Sequence, residues 1–428
     1  MDAQIFETME AQVRSYCRSF PTVFAHARGA TLTDADGRAY IDFLAGAGTL
    51  NYGHNNPRIR DAVIAYLQGD GVAHALDMYT VAKATFLTTL RDTILEPRGL
   101  GYKVTFPAPT GTNAVETAMK YARRATGRSS IIAFTNAFHG MTLGSLAASG
   151  NRAKRDGAGV AFSGITRLPY DGYMPGLDSA ALLKTLLEDG GSGVDKPAAI
   201  IVETVQAEGG LQTASPAFMR ALAQIAAEHG ILLIVDDIQT GCGRTGPFFS
   251  FEEMGVVPDI VCLSKAIGGM GLPLALVLFK PELDVLKPGE HNGTFRGNNL
   301  AFVAATQALS FWREPAFVMR NGDVATRLRD HLERLATRYQ AQGCHLRGRG
   351  LLLGLSWDDT ATASAVSRAA FARGLIMETT GAKDQVLKLL PPLTITDDEL
   401  ARGLDALDAA LEDVCGRGDV AVPLQAAE

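Results

Sequence analysis

The chain has 428 residues, 47% hydrophobic and 20% charged, enough for two or more domains around a large core. Its net charge of −6 argues against nucleic acid as a partner, and no apolar run approaches the ~20 residues that span a bilayer. Five scattered cysteines without a C-x-x-C pair, and eight histidines without an H-E-x-x-H pattern, read as reduced thiols in a cytoplasm with no structural metal.

The opening "MDAQIFETMEAQVRSYCRSF" is mixed polar and acidic, which fits neither a signal peptide nor a transit peptide. "GATLTDADGRAYIDF" predicts a hairpin. In "PTGTNAVETAMKYARRA" Gly111 and Thr112 open a helix with apolar positions at Ala114, Ala118 and Tyr121. Apolar runs at 131–134, 199–203, 231–237, 259–264 and 274–279 predict strands. "SPAFMRALAQIAAEHG" starts on a serine and stops on a glycine, as a crossover helix does. Strands alternating with helices signify an α/β domain with a mostly parallel sheet. "LEDGGSGVDKP" is the most loop-like piece. After "NNLAFVAATQALSFW" the texture changes: a long helix around 323–340, the segment "HLRGRGLLLGLSW", short strands, and a last helix near 397–414. The expected division is a segment 1–50 that completes a small domain, a large α/β domain over 51–310, and a small α+β domain over 311–428.

The stretch "ILLIVDDIQTGCGRTG" (231–246) contains G-x-G-x-x-G. In a dinucleotide fold those glycines follow the strand directly and open a helix. Here "DDIQT" intervenes and "PFFSFEE" follows, so the cluster reads as a close-packed turn. Asp236 and Asp237 lie at the carboxyl end of a buried strand, where α/β sheets bind ligands. An isolated aspartate there is usually a helix cap or a core salt bridge. The next strand, however, ends in "LSKAIGGMGLPLA", placing Lys265 at an adjacent strand end. A buried lysine is a nucleophile. A lysine, an acid and glycines together suit pyridoxal phosphate, the lysine bonding to its aldehyde and the acid to its pyridinium nitrogen. At about 4 Å and an effective dielectric of ~20 that ion pair contributes roughly 4 kcal/mol, about three pKa units on the ring nitrogen. Only one of the two aspartates can face the ring, because successive strand residues point opposite ways. The phosphate would lie at the helix start at Gly111 and Thr112, an anion site by virtue of free N–H groups, a hydroxyl and the dipole.

With "DADGRAYIDFLAGAG", "NYGHNNP", "TGTNAVETAMKYAR", "FHGMTLGSL", "VETVQAEGG", "VDDIQTGCGRTG", "LSKAIGGMGLPLA" and "NGTFRGNN" in this order, the chain resembles a class III aminotransferase of fold type I. The resemblance runs nearly end to end. It implies a large domain with a mostly parallel sheet, a smaller α+β domain, and pyridoxal 5'-phosphate as cofactor. Lys265 would bond to the cofactor and shuttle the proton, and Asp236 would pair with the ring nitrogen. Ile238 and Phe138 would cover the two ring faces, and Gln239 would reach the ring hydroxyl. Gly111 and Thr112 would hold the phosphate, joined by Thr294 from another subunit, so that a homodimer is the smallest complete enzyme and a higher homo-oligomer is open. Glu203 and Glu208 would lie over the substrate, and His139 would be a structural hydrogen bonder.

"QVRSYCRSFPTVF", "LNYGHN", "ILLIVDDIQ" and "EHNGTFRGNN" resemble the branch of the family that moves the amino group of glutamate to aspartate 4-semialdehyde, giving 2,4-diaminobutyrate for ectoine synthesis. Ornithine, acetylornithine and 4-aminobutyrate types, a diaminobutyrate enzyme of siderophore or antibiotic synthesis, and a cofactor-binding regulator are the alternatives. Departures from the family pattern fall on the substrate side. Many members read "DEVQTG" and "EPVQGEGG" where this chain has Asp237, Thr204 and Ala207. Lys388 in "VLKLLPPLTIT" stands where several relatives have a carboxylate-binding arginine, and a lysine cannot make the bidentate fork. Ala47 stands where ornithine-type relatives carry a bulky aromatic. Glu208 with Lys388 is the candidate carboxylate switch.

Overall fold

The computed structural model describes residues 3–416; positions 1–2 and 417–428, which end the first and last expected segments, lie outside the described residues. A seven-stranded sheet forms the centre, in the order Lys103–Thr105, Leu276–Phe279, Ile260–Leu263, Leu232–Asp236, Ala199–Val202, Ile131–Phe134, Ile165–Leu168. Leu276–Phe279 runs against both its neighbours; the other strands share one direction. The sheet is therefore mostly parallel, as the sequence predicts. Its inner strands are buried along almost their whole length, which is why they read as unbroken aliphatic runs. The two edge strands, Lys103–Thr105 and Ile165–Leu168, are half-buried and gave no such run.

The crossover helix is Pro216–His229. The Ser215 side chain accepts the Phe218 N–H, proline occupies the first turn, and Gly230 at φ +57° ends it. A left-handed C-terminal residue favours glycine. Phe218, Met219, Leu222 and Ile225 then turn onto the sheet core.

A two-stranded ribbon, Val205–Gln206 with Gln212–Thr213, and two four-stranded sheets make up the other described strands. One joins Phe24–Arg28, Thr31–Asp34 and Ala39–Asp42 to Leu375–Ile376; the other is ordered His345–Arg349, Leu352–Ser356, Val386–Leu389, Glu378–Thr380. Ile41 and Phe43 share one apolar cluster with Leu328, Leu353, Leu387 and Leu407, so segments far apart in the chain bury each other. The long helix runs Pro315–Arg338, about two turns earlier than predicted. Pro315 suits a first turn, and Gly322 is carried inside because Val324, Leu328 and Leu332 bury the face that follows.

Candidate active site

Strands Leu232–Asp236 and Ile260–Leu263 are parallel, with Asp236 beside Cys262. Asp236 and Lys265 therefore leave the sheet at the same edge, and Lys265 turns inward from a left-handed φ of +52°. They open into one cavity of about 280 Å³, lined also by Gly111, Thr112, Phe138, Ile238, Gln239, Glu203 and Glu208. Three expected residues stand apart. Lys388 is buried behind Glu208. Ala47 meets the site through its carbonyl, which accepts a hydrogen bond from Gln239 Nε2 at 2.8 Å. Thr294 is exposed at the start of the turn Thr294–Gly297.

The paired aspartates divide by direction. Asp236 is buried on the cavity side, with Oδ2 2.7 Å from His139 Nδ1, and its Oδ1 accepts the Ile238 N–H at 3.2 Å. His139 is itself fixed by its N–H, which donates to Ser149 Oγ at 2.9 Å. Asp237 points the other way, accepting from Thr240 Oγ1 at 2.7 Å and the Ser250 N–H at 3.0 Å. Burial pushes its carboxyl up to about 6.

Asp237 thus anchors the glycine cluster. A Cβ at Gly241 would lie 2.7 Å from the Asp237 carbonyl oxygen, and one at Gly243, where φ is +86°, 2.6 Å from the Trp312 ring. This is a close-packed turn. Within it Arg244 is fully buried and donates to the carbonyls of Leu351 at 3.1 Å and Pro391 at 2.7 Å, and to the Asn51 side chain. Burial draws its pKa down to about 9. The sequence offered no reading of Arg244, since its acceptors are more than a hundred residues away along the chain in one direction and nearly two hundred in the other.

Charge in the cavity is set by burial and by close partners. Burial lowers the Lys265 pKa, with Glu208 the largest opposing influence; a lysine so placed is readily a nucleophile and a base. Burial and the Asp236 charge push Glu203 well above the carboxylate range, while the Phe138 N–H donates to its Oε1 at 2.9 Å. Burial raises Glu208 too, but the charges of Lys388 and Lys265 outweigh it and bring its carboxyl to about 2. Lys388 lies 2.6 Å from Glu208 Oε1 and 2.9 Å from Glu378 Oε1. Its burial disfavours the cation, but the two carboxylates outweigh that and hold its pKa above the ordinary value. Glu378 was missed in the sequence. It is the cross-strand partner of Lys388, a relation visible only once Glu378–Thr380 and Val386–Leu389 are paired.

The helix Gly111–Thr126 points its N-terminus at the cavity and has no side-chain cap there. Thr112 Oγ1 is 2.7 Å from Thr142 Oγ1 and also meets Ser145. A Cβ at Gly111 would come within 3.0 Å of Ile238 Cδ1, so glycine leaves Ile238 room beside the helix start. An amine, a buried acid, an uncapped helix start and two apolar walls fit the aldehyde, pyridinium, phosphate and ring faces of pyridoxal 5'-phosphate. No described helix is long and apolar enough to cross a membrane.

Fold and site define a fold-type-I enzyme of the pyridoxal-phosphate kind. The family model for class-III aminotransferases matches residues 14–411, and the chain belongs to that family. It is 55% identical over 416 residues to the diaminobutyrate–2-oxoglutarate transaminase of Nocardia farcinica, covering 97% of this chain and 95% of that one. To the enzyme of the same name from Halalkalibacterium halodurans it is 52% identical over 412 residues, 96% of each chain. Among solved structures, the ornithine aminotransferase of Toxoplasma gondii superposes with a TM-score of 0.84 at 27% identity, over 96% of this chain and 94% of that one.

Proposed function

We propose that the protein is a diaminobutyrate–2-oxoglutarate transaminase that uses pyridoxal phosphate to move the amino group of L-glutamate to the aldehyde carbon of L-aspartate 4-semialdehyde, giving L-2,4-diaminobutyrate and 2-oxoglutarate. The observation that carries the chemistry is the meeting of Lys265 and Asp236 in one buried cavity at adjacent strand ends. The choice of substrates rests on relatives of that name over nearly the whole chain.

When bound, the cofactor supplies an electron sink for the reacting carbon. Lys265 removes the proton from that carbon and returns it, burial favouring its neutral, basic form. Asp236, oriented by His139 at 2.7 Å, would pair with the ring nitrogen. Ile238 and Phe138 would hold the ring between them, and Gly111 and Thr112 would bind the phosphate with free N–H groups and a hydroxyl. Glu208 pairs with Lys388 in one half-reaction and releases it to a substrate carboxylate in the other. Thr294, exposed on its own chain, completes the phosphate site of a second subunit, so the working unit is at least a homodimer. We assign the enzyme to the cytoplasm and its product to ectoine synthesis.

Two measurements test this. Lys265→Ala should abolish turnover while the fold survives; turnover within about tenfold of wild type overturns the assignment. With glutamate as donor, aspartate 4-semialdehyde, glutamate 5-semialdehyde and succinate semialdehyde are offered separately and products identified by mass spectrometry. Fastest formation of 2,4-diaminobutyrate is expected. A lead for ornithine or 4-aminobutyrate overturns the substrate assignment.

A further inference from the structure

A second cavity of about 600 Å³ adjoins the first and shares the Glu208 side chain with it. Tyr16, Lys154 and Glu378 line it from three separate parts of the chain. We propose that this outer cavity holds the amino-acid end of the semialdehyde, Lys154 pairing with its carboxylate and the Glu208–Glu378 pair with its ammonium group. The proposal rests on the substrate assignment above and names the residues that set it.

Lys154 lies with Nζ 4.4 Å from the centroid of the Phe138 ring, and Phe138 lines the inner cavity. The ring holds the ammonium at the junction of the two spaces. Among the described residues Lys154 has no carboxylate in ion-pair contact, and its charge is among those that lower Glu208. Two other cations face the cavity. Arg18 is occupied by the Gln12 carbonyl and side chain, and Arg368 lies out in solvent. Of the three, Lys154 is the one held at the junction with the inner cavity, and the one whose charge acts on Glu208.

Opposite it, Lys388 is fully buried between Glu208 and Glu378. Lys388 is one base within ion-pair distance of two acids, so this trio has an acidic excess. Glu378 is held from the outer side by the Tyr16 hydroxyl, which donates to Oε2 at 3.1 Å. A negative group on one wall and a positive one on the other suit a zwitterion.

The constitution of the two substrates fits. In aspartate 4-semialdehyde the carboxylate carbon is three bonds from the reacting carbon, as is the side-chain carboxylate carbon of glutamate from its own. Only the semialdehyde carries an ammonium on the carbon between. Lys154 thus serves both substrates, and the carboxylate pair serves the second alone.

Succinate semialdehyde is aspartate 4-semialdehyde without the ammonium, and the test compares kcat/KM for the two on the holoenzyme with glutamate as donor. Wild type is expected to prefer the ammonium-bearing aldehyde. Glu378→Gln should cut that preference by about tenfold or more, a larger factor than its effect on the rate of the cofactor absorbance change on adding glutamate. Lys154→Met should lower kcat/KM for both aldehydes by a similar factor of about tenfold and raise KM for glutamate. A preference ratio unmoved within about twofold by Glu378→Gln overturns the proposal, as does a Lys154→Met effect confined to one substrate. Should Glu378→Gln fail to fold, Tyr16→Phe, which removes only the hydroxyl bound to Glu378, should lower the same ratio by roughly two- to fivefold, and an unchanged ratio there overturns it equally. If wild type itself shows no preference, the substrate assignment falls first and separately.

Discussion

Asp236 and Asp237 are neighbours with opposite duties, and their variants should separate accordingly. Asp236→Ala removes the carboxylate facing Lys265 and should cost several kcal/mol in the chemical step, read as a fall in kcat of about a thousandfold. Asp237→Asn should keep kcat within about tenfold, because Asp237 touches only the turn. Its signature is in stability. A carboxyl raised by burial to about 6 favours the folded state below its unfolded pKa of about 4 and loses that contribution as pH climbs through the folded value. The unfolding free energy of wild type minus that of Asp237→Asn should therefore fall between about pH 4 and pH 6 and be flat above. A difference that rises over that window would sink this account. In the sequence their position at a strand end singled out the pair, strand alternation allowed only one of them to face a ring, and the family resemblance pointed to Asp236. Glu378 and Arg244 escaped because their partners, Lys388, Leu351 and Pro391, are neighbours only in space.

At the scale of elements, what could be read from the chain was what burial and capping write into it. The inner strands show as aliphatic runs, and Pro216–His229 shows by its serine, proline and glycine. The edge strands lacked such marks, and the start of Pro315–Arg338 carries a proline but no side-chain cap. The helix Gly111–Thr126 is the element on which cofactor retention should depend. Its neighbour Gly140 has φ +125°, and a Cβ there would sit 2.4 Å from Thr112 Oγ1. Gly140→Ala should displace Thr112 and weaken pyridoxal-phosphate binding by about tenfold or more in a spectroscopic titration. An affinity within about twofold of wild type would show that Thr112 is not a phosphate ligand.

For the whole molecule, Arg244 is the residue that fastens the central-sheet turn to the segments around Leu351, Pro391 and Asn51. Each buried acceptor left without its donor costs ~1–3 kcal/mol. Arg244→Met should therefore lower unfolding free energy by about 3–5 kcal/mol in urea, and a loss below about 1 kcal/mol would refute the role. The alternation of strands and helices announced the large sheet. No local pattern announced that Ile41 pairs in register with Leu375. That pairing has a consequence for synthesis. Proteins tend to fold from the amino end as they emerge, but here the first hairpin leaves the ribosome without the strand that closes its sheet. The middle of the chain can condense first, and the earliest residues made must wait, solvated and available to proteases or chaperones, for some of the latest.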